Sequence, residues 1–275
     1  MEKKPENSSD APACSSETTR KISSLPDVSG VWKGITGLWR LLAQERRCRA
    51  CAGIFSAHAH GGNGALFCPD CALALRRRER GYCPRCGEPA AWPDLPLAPC
   101  MRCLESPPLW DKLFFHSLHQ GLLQHLLLRF KFHGQITLAP ALADLLARHP
   151  ELADHSFDCV VPIPLHESRL SWRGYNQALE LARPLAAGLG LACEPDLLKR
   201  IRKTPPQTGA SLADRKKNTK GVFAGTPAVK GKTILLLDDT FTTGSTMAAA
   251  TAALLTAGAV SVSLAVVSRT PFRSR

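Results

Sequence analysis

One segment near the carboxyl end limits the possible folds of this chain more than any other. An apolar run of strand length, residues 234–237, ends in two adjacent acids, and a stretch of Thr, Gly and Ser then leads into the helix-forming run 247–250. The pattern predicts a strand, a loop and a helix. Because the first N–H groups and the dipole of a helix favour anions, a phosphate can lie against residues 242–246.

The side chains of this segment suit a phosphorylated ribose. Gly244 lets the backbone approach a ligand, neighbouring hydroxyls add hydrogen-bond donors, and the acid pair suits the vicinal hydroxyls of the sugar. Asp238 and Asp239 are the predicted ribose contacts and catalytic residues. The predicted substrate-binding residues, with the phosphate against 242–246, are Thr240, Thr242, Thr243, Gly244, Ser245 and Thr246. A buried strand capped by a polar turn would explain single residues of the segment but not the whole string.

The apolar segments after residue 105 predict the rest of the fold. Strands are expected at 113–118, 158–164, 197–201, 233–237 and 260–267, and helices at 122–130, 175–189 and 246–257, with Pro184 kinking or dividing the helix that contains it. Strands that alternate with helices predict an α/β domain with a doubly wound parallel sheet. Ligands bind such a sheet at the carboxyl ends of its strands.

Residues 234–246 resemble the phosphoribosyl pyrophosphate (PRPP) signature of type I phosphoribosyltransferases. That signature consists of four apolar residues, two acids, two variable positions and then Thr-Thr-Gly-x-Thr. The resemblance implies the fold of that class and an enzyme that transfers a phosphoribosyl group from PRPP. Asp238 and Asp239 would bind the ribose hydroxyls directly or through Mg²⁺, which prefers oxygen ligands.

Eight of the eleven cysteines form four Cys-x-x-Cys pairs, Cys48/Cys51, Cys68/Cys71, Cys83/Cys86 and Cys100/Cys103. Two such pairs complete the tetrahedral shell of one zinc ion, so we expect two structural zinc ions in a small double zinc ribbon. Sequential pairing needs the shortest loops, and a crossed arrangement is left open. Four thiolates leave no ligand position for water, and redox chemistry does not need four repeated pairs, which argues against a catalytic zinc or a redox dithiol.

Other residues of this module allow two interpretations. His58 and His60, between the first two pairs, could replace a cysteine ligand, although eight thiols already suffice. The basic residues after the second pair could form a surface for nucleic acid or protein, or only a solvated helix face. They are Arg76, Arg77, Arg78 and Arg80.

Two groups of basic residues lie between the predicted strands. Arg169 and Arg173 follow the strand at 158–164 and would reach the same rim of the sheet, where guanidinium groups suit a pyrophosphate leaving group. Segment 199–220 holds eight basic residues, Lys203 and Arg215 among them, against one acid. We predict that it is a lid over the phosphates, because its like charges repel one another unless an anion neutralises them. A solvated surface is the alternative.

Taken together, the motifs resemble the ComF family of competence-associated, phosphoribosyltransferase-like proteins. Besides the PRPP signature and the Cys-x-x-Cys pairs, the matching segments are Val-Pro-Ile-Pro-Leu-His at 161–166, Arg-Gly-Tyr-Asn-Gln-Ala at 173–178, Arg-x-Thr-x-x-Gln at 202–207 and Arg-x-x-Asn at 215–218. The resemblance covers roughly residues 45–270. Thr240 departs from it, since the family usually has an aliphatic residue there.

The family resemblance implies a role in DNA uptake during natural transformation. Two classes of function stay open: a phosphoribosyltransferase whose acceptor is unknown, and a non-catalytic factor that uses the fold to bind single-stranded DNA or DNA-uptake proteins. Intact acids and an intact Thr-Thr-Gly favour the first class. The zinc ribbons and the net charge of +12 suit the second.

Composition predicts three segments, a polar and disordered tail at 1–44, the double zinc ribbon at 45–105 and the phosphoribosyltransferase-like domain at 106–275. The sequence shows no secretory signal and no apolar run of about 18 residues. We therefore expect a cytoplasmic protein with reduced thiols and no membrane span.

Overall fold

A parallel sheet organises the part of the chain that the structure describes. This computed structural model describes residues 45–56, 65–154, 156–165, 170–171, 174–202 and 221–272, all within the compact unit Glu45–Arg275. The described strands are β1 Glu45–Arg47, β2 Ile54–Ser56, β3 Leu113–Leu118, β4 Cys159–Pro162, β5 Ala192–Cys193, β6 Leu198–Arg200, β7 Phe223–Gly225, β8 Thr233–Phe241 and β9 Ser261–Arg269. Five of them form the central sheet in the order β3-β9-β8-β4-β5, and every neighbouring pair is parallel.

Helices cover both faces of this sheet. The described helices are α1 Pro69–Ala74, α2 Met101–Glu105, α3 Gly121–Phe132, α4 Ala139–Ala147, α5 Pro150–Ala153, α6 Gln177–Leu189 and α7 Ser245–Thr256. Short 3₁₀ turns lie at Ile136–Leu138, Pro195–Leu197 and Pro227–Val229. Every helix among the described residues is too short or too polar to cross a lipid bilayer.

Alternate residues of the central strand β8 face opposite sides of the sheet. Leu235 and Leu237 pack with α3, α4 and α6 in one core cluster, while Ile234 and Leu236 pack with α7 in the other. A strand that is buried on both faces needs a near-continuous apolar run, which residues 234–237 supply. The predicted doubly wound parallel sheet is confirmed.

The strand predicted at 197–201 forms, but it lies outside the central sheet. Strand β6 instead pairs antiparallel with β7 in a separate two-stranded ribbon. These two strands flank the basic segment 203–220, which lies outside the described residues.

The helix predicted at 175–189 begins two residues later and is not divided at Pro184. Asn176 ends the preceding loop and caps the helix, because Asn176 Oδ1 accepts a hydrogen bond from Ala178 N at 3.1 Å. Gly190 in the left-handed region ends it. The cap therefore sets the start of α6.

The cysteine-bearing segment covers the outer edge of the central sheet. Leu113 N, on edge strand β3, donates to Pro84 O at 3.0 Å, and Arg78 N donates to His116 O at 2.9 Å. An edge strand with unpaired backbone groups would invite association, so this packing protects β3. The tail 1–44, His58 and His60 lie outside the described residues, and the boundary at residues 105 and 106 stays a prediction.

Candidate functional site

The acid pair lies inside strand β8 and not after its end. The strand continues beyond its predicted end at residue 237 to Phe241, because its neighbour β9 runs equally far. Asp238 pairs with Val266 and Thr240 pairs with Ser268 along this extension. Successive strand residues point to opposite faces, so the two carboxylates occupy different environments.

Asp239 is the more buried of the two acids and forms an ion pair. Its Oδ1 lies 2.9 Å from Lys131 Nζ, and the side chains of Asp239 and Lys131 are 11 % and 17 % exposed. Lys131, near the end of α3, also donates to Thr240 Oγ1 at 2.9 Å. Asp238 is half-buried, and its Oδ1 accepts from Asp239 N at 2.8 Å.

The predicted phosphate loop is the turn between β8 and α7. Gly244 has φ 77° in the left-handed region and lies at the N-cap position of α7. A Cβ at Gly244 would lie 2.5 Å from Phe241 Cζ, so both the backbone conformation and the packing require glycine. Glycine brings no side-chain acceptor of its own, so the first N–H groups of this 12-residue helix, apart from Ser245 N, are available to an anion.

Two hydroxyl groups of this turn lie close together. Thr243 Oγ1 and Ser245 Oγ lie 2.9 Å apart, and Ser245 N donates to Thr243 Oγ1 at 3.4 Å. Thr242 is exposed, and Thr246 is half-buried in the first turn of α7. The loop thus combines helix N–H groups and hydroxyl donors on a short stretch of chain.

A chain of hydrogen bonds that the sequence did not indicate runs from His119 to the acid pair. Ser268 Oγ donates to Thr240 Oγ1 at 3.2 Å, and His119 Nδ1 lies 2.9 Å from Ser268 Oγ. Two hydroxyl groups and one imidazole nitrogen therefore link His119 to Thr240. Burial lowers the pKa of His119; nearby Lys131 lowers it further, and Asp239 opposes the shift.

Four predicted site residues are not placed. Arg169, Arg173, Lys203 and Arg215 lie outside the described residues, so their roles stay predictions. The described residues next to the predicted lid are basic: Lys199 is exposed and Arg200 is half-buried on β6.

The eight paired cysteines form two groups in sequential order. The first group is Cys48, Cys51, Cys68 and Cys71, and the second is Cys83, Cys86, Cys100 and Cys103. Within each group the ligand atoms all lie within 4.8 Å of one another. The structure therefore supports sequential grouping over the crossed alternative.

Sulfur spacing fits a tetrahedral metal site. Four sulfurs about 2.3 Å from one zinc ion lie about 3.8 Å apart, and the structure has Cys51 Sγ 3.8 Å from Cys68 Sγ and Cys86 Sγ 3.6 Å from Cys100 Sγ. These separations far exceed the length of a disulfide bond, about 2.05 Å. Both clusters can hold a structural zinc ion.

Backbone amides help to keep one thiolate in each cluster. Burial of Cys48 opposes ionisation, but hydrogen bonds from the backbone of Cys51, Cys68 and Ala50 lower its pKa to about 6. In the second cluster a hydrogen bond from Cys86 acts against burial and, with backbone hydrogen bonds, lowers the pKa of Cys83 to about 4. Amide donors at the sulfurs are the feature expected of Cys-x-x-Cys turns.

The basic edge of the cysteine module is only partly a free surface. Arg78 is half-buried, and its Nη2 donates to Gly81 O at 2.7 Å. Arg76 and Arg80 are exposed, and Arg77 lies 3.6 Å from Glu79. The structure thus gives Arg78 a packing role that the charge run alone did not predict.

Comparisons with known proteins identify the domain that contains these residues. Residues 175–273 match the model of the phosphoribosyl transferase domain. One solved structure with detectable likeness is a glutamine PRPP amidotransferase from B. subtilis complexed with ADP and GMP, with 20 % identity and a TM-score of 0.34 over 48 % of this chain and 26 % of that chain.

Two curated relatives extend over most of the chain. The DNA utilization protein YhgH of Salmonella typhimurium is 38 % identical over 209 residues, which cover 74 % of this chain and 90 % of that protein. Competence protein F of Haemophilus influenzae is 30 % identical over 209 residues, covering 73 % and 87 %. The phosphoribosyltransferase domain, the two four-cysteine clusters and this extent of similarity show that the chain belongs to the ComF family, on a type I phosphoribosyltransferase fold.

Proposed function

We propose that this chain binds PRPP with Mg²⁺ and transfers the phosphoribosyl group to an acceptor. The observation that carries the proposal is the left-handed turn at Gly244, which joins the acid-bearing strand β8 directly to the N-terminus of α7. A phosphate at this helix end would place an attached ribose beside residues 238–240. Thr243 and Ser245 would donate hydroxyl hydrogen bonds to the same phosphate.

The two acids would have different tasks. Asp239 is held by Lys131 and would keep the loop in place. The same carboxylate would accept a hydrogen bond from one sugar hydroxyl. Asp238, half-buried near the carboxyl end of the central strand β8, would bind the other hydroxyl or a Mg²⁺ ion. This division follows from the opposite directions of neighbouring strand residues.

The bond between the anomeric carbon and pyrophosphate would break with positive charge on the ribose ring. The chain's own residues would position the sugar, and Arg169 and Arg173 would neutralise the departing pyrophosphate. Lys203 and Arg215, in the segment that β6 and β7 flank, would close over it. Mg²⁺ would supply charge neutralisation at the phosphate oxygens.

Ligand-induced stabilisation of the full chain tests the binding proposal. PRPP with Mg²⁺ at a hundredfold excess over Kd should stabilise the wild type by about 2.7 kcal/mol. Asp238→Asn should remove most of this gain. Asp158→Asn is the matched control, since Asp158 Oδ2 accepts from Thr233 N at the opposite end of β8. Equal stabilisation of all three proteins would contradict the ribose role of Asp238.

A separate measurement tests catalysis. Release of pyrophosphate from PRPP, with the chain and candidate acceptors present, should fall in Asp238→Asn and in Arg173→Gln. PRPP binding without pyrophosphate release under any condition would support a binding role for the same site and contradict the enzyme proposal.

A second candidate function is recognition of nucleic acid or protein during DNA uptake. It is favoured by the relatives, which are named a DNA utilization protein and a competence protein, and by the net charge of +12. In this case segment 199–220 would be a track for single-stranded DNA. The logarithm of the binding constant for single strands would then fall linearly with the logarithm of the salt concentration, with a slope of about −0.7 per phosphate contact.

Limited proteolysis separates the two roles of this segment. PRPP with Mg²⁺ should protect a lid from cleavage, and Lys203→Gln or Arg215→Gln should weaken PRPP binding. Protection by single-stranded DNA but not by PRPP would favour the track and overturn the lid.

A further inference from the structure

Arg269 connects the second cysteine cluster to the predicted phosphate loop. It is the last residue of β9 and is completely buried. Its Nε donates to Cys86 O at 2.6 Å, and its Nη1 donates to Thr242 O at 3.1 Å. Its Nη2 donates to Glu88 Oε2 at 2.8 Å, which gives the buried cation a carboxylate partner. One side chain therefore contacts both Cys86, a predicted metal ligand, and Thr242, the first residue of the loop.

Packing around the guanidinium group restricts it further. The Arg269 guanidinium carbon lies 4.9 Å from the ring centre of Phe241 and 4.2 Å from that of Phe272. A Cβ at Gly87 would lie 3.1 Å from Arg269 Cγ, so the turn after Cys86 is closed against this side chain. Burial lowers the pKa of Arg269 to about 10, and the group stays charged at neutral pH.

Glu88 and Phe241 extend this connection at both ends. Both carboxylate oxygens of Glu88 accept from Phe272 N at 3.2 Å, which fixes the chain just after β9. At the other end the Phe241 ring occupies the space that any side chain at Gly244 would need. The position of the phosphate turn thus depends on the aromatic ring that Arg269 contacts.

We propose that Arg269 is a positioning residue that couples metal binding at the second cluster to the conformation of the phosphate loop. The turn at residues 83–88 holds its shape when its two sulfurs share one ion with Cys100 and Cys103. Loss of the ion would release the Cys86 carbonyl and the Glu88 carboxylate from their places. Arg269 would then lose two of its three partners, and the Thr242 carbonyl would lose its fixed donor.

The first cluster offers an internal comparison. It is tied to a different part of the domain, because Arg129 Nη1, on α3, donates to Ala50 O at 2.6 Å. No such contact joins the first cluster to residues 242–246 among the hydrogen bonds of the described residues. Metal loss at the two clusters should therefore have different effects on the phosphate loop.

Hydrogen exchange of the zinc-loaded full chain tests the coupling without any ligand. Cys100→Ser opens the second cluster, and Cys51→Ser is the matched control in the first; neither residue is fully buried. The amides that report on the loop are Thr270 N, which donates to Phe241 O at 2.9 Å, and Ala248 N, which donates to Gly244 O at 2.8 Å. We expect them to exchange about 5- to 150-fold faster in Cys100→Ser, the usual range for coupled sites. Equal exchange in the two variants would overturn the proposal.

The double variant shows whether Arg269 carries the coupling. Arg269→Lys keeps the charge but not the three-way geometry, so adding Cys100→Ser to it should accelerate exchange of the loop little further. Independent effects of the two changes would mean that other contacts carry the coupling, and the proposal would be wrong. If Arg269→Lys does not fold, Glu88→Gln replaces it. This variant should reduce the effect of Cys100→Ser on loop exchange, and an unchanged effect would overturn the proposal.

Ligand binding gives a reciprocal measurement that rests on the proposed function. Mg²⁺ and PRPP should slow zinc release from the second cluster to a chromogenic chelator, and this effect should vanish in Arg269→Lys. If PRPP does not bind the wild type, the proposed function fails while the exchange experiment still decides the coupling. If PRPP binds but zinc release is unchanged, the coupling proposal fails while the proposed function stands.

Discussion

Lys131 Nζ lies 2.9 Å from Asp239 Oδ1 and donates to Thr240 Oγ1 at the same distance. One ammonium group at the end of α3 therefore holds two consecutive residues of the predicted ribose site. The opposite charge and the surrounding apolar core keep Asp239 in one position before any ligand arrives. The site is in this respect preorganised by a residue that no motif contains.

Lys131→Met should destabilise the fold and weaken ligand binding. The substitution leaves a mostly buried carboxylate without its cation, which we expect to cost about 1–3 kcal/mol of unfolding free energy. Arg183→Met is the matched control, because Arg183 and Glu180 form an exposed ion pair on α6 and should contribute less than about 1 kcal/mol. Urea unfolding of both variants measures the difference. Similar costs for the two substitutions would contradict a special role for Lys131.

Gly244→Ala should abolish PRPP binding while it lowers the free energy of unfolding only moderately. The added Cβ meets the Phe241 ring at 2.5 Å and must also adopt φ 77°, so the turn has to open. Gly190→Ala is the control, since Gly190 has φ 68° but no heavy atom within 4 Å of an added Cβ. Each should cost about 1 kcal/mol or more in backbone strain. Calorimetric titration with PRPP should show loss of binding in Gly244→Ala alone.

The sequence predicts those parts of the molecule that depend on local patterns. The apolar run at 234–237 is long enough to be a buried strand, and the four Cys-x-x-Cys pairs predict two four-cysteine zinc sites, with sequential pairing favoured by the shortest loops. The turn at Gly244 is likewise encoded within a few residues. In each case the physical reason for the structure lies in neighbouring positions of the chain.

Contacts between distant polar residues could not be predicted in this way. Glu88 and Arg269 are 181 positions apart, and Lys131 and Thr240 are 109 apart. Periodicity shows which side chains are buried, but it does not show which buried charges meet. The extension of β8 to Phe241 has the same origin, because it depends on pairing with β9.

The free energy of unfolding should respond to pH through His119. Its pKa is lowered from 6.5 in the folded chain by burial and then by Lys131, with Asp239 opposing, so below about pH 6.5 the unfolded chain binds the proton first. Folding stability is therefore lost as the pH falls from about 6.5 towards the folded pKa. His119→Asn, whose side-chain amide can still form a hydrogen bond with Ser268, should lack this part of the loss.

Denaturant unfolding between pH 7.5 and 5.0 measures the effect of His119. The stability of the wild type relative to His119→Asn should decrease as the pH falls, by at most about 1.4 kcal/mol per pH unit for one proton. Other titrating groups are common to both proteins and cancel in the comparison. Parallel pH profiles would show that His119 has the same pKa in the folded and unfolded chain.

Zinc removal should unfold the second cysteine cluster before the first. The purified chain should carry about two zinc ions, and Cys83→Ser should release about one of them. Cys48 and Cys71 pack into the large core with Phe55, Phe67 and Leu75, whereas the second cluster forms a small core of its own with Phe272.

Because the second cluster has so little apolar packing, its fold should depend more on the metal. A chelator should therefore expose residues 83–103 to protease before it exposes residues 65–75. Metal analysis beside time-resolved proteolysis checks both statements. Absence of zinc, disulfides in protein isolated from cells, or simultaneous cleavage of the two segments would each contradict this account of the cysteine module.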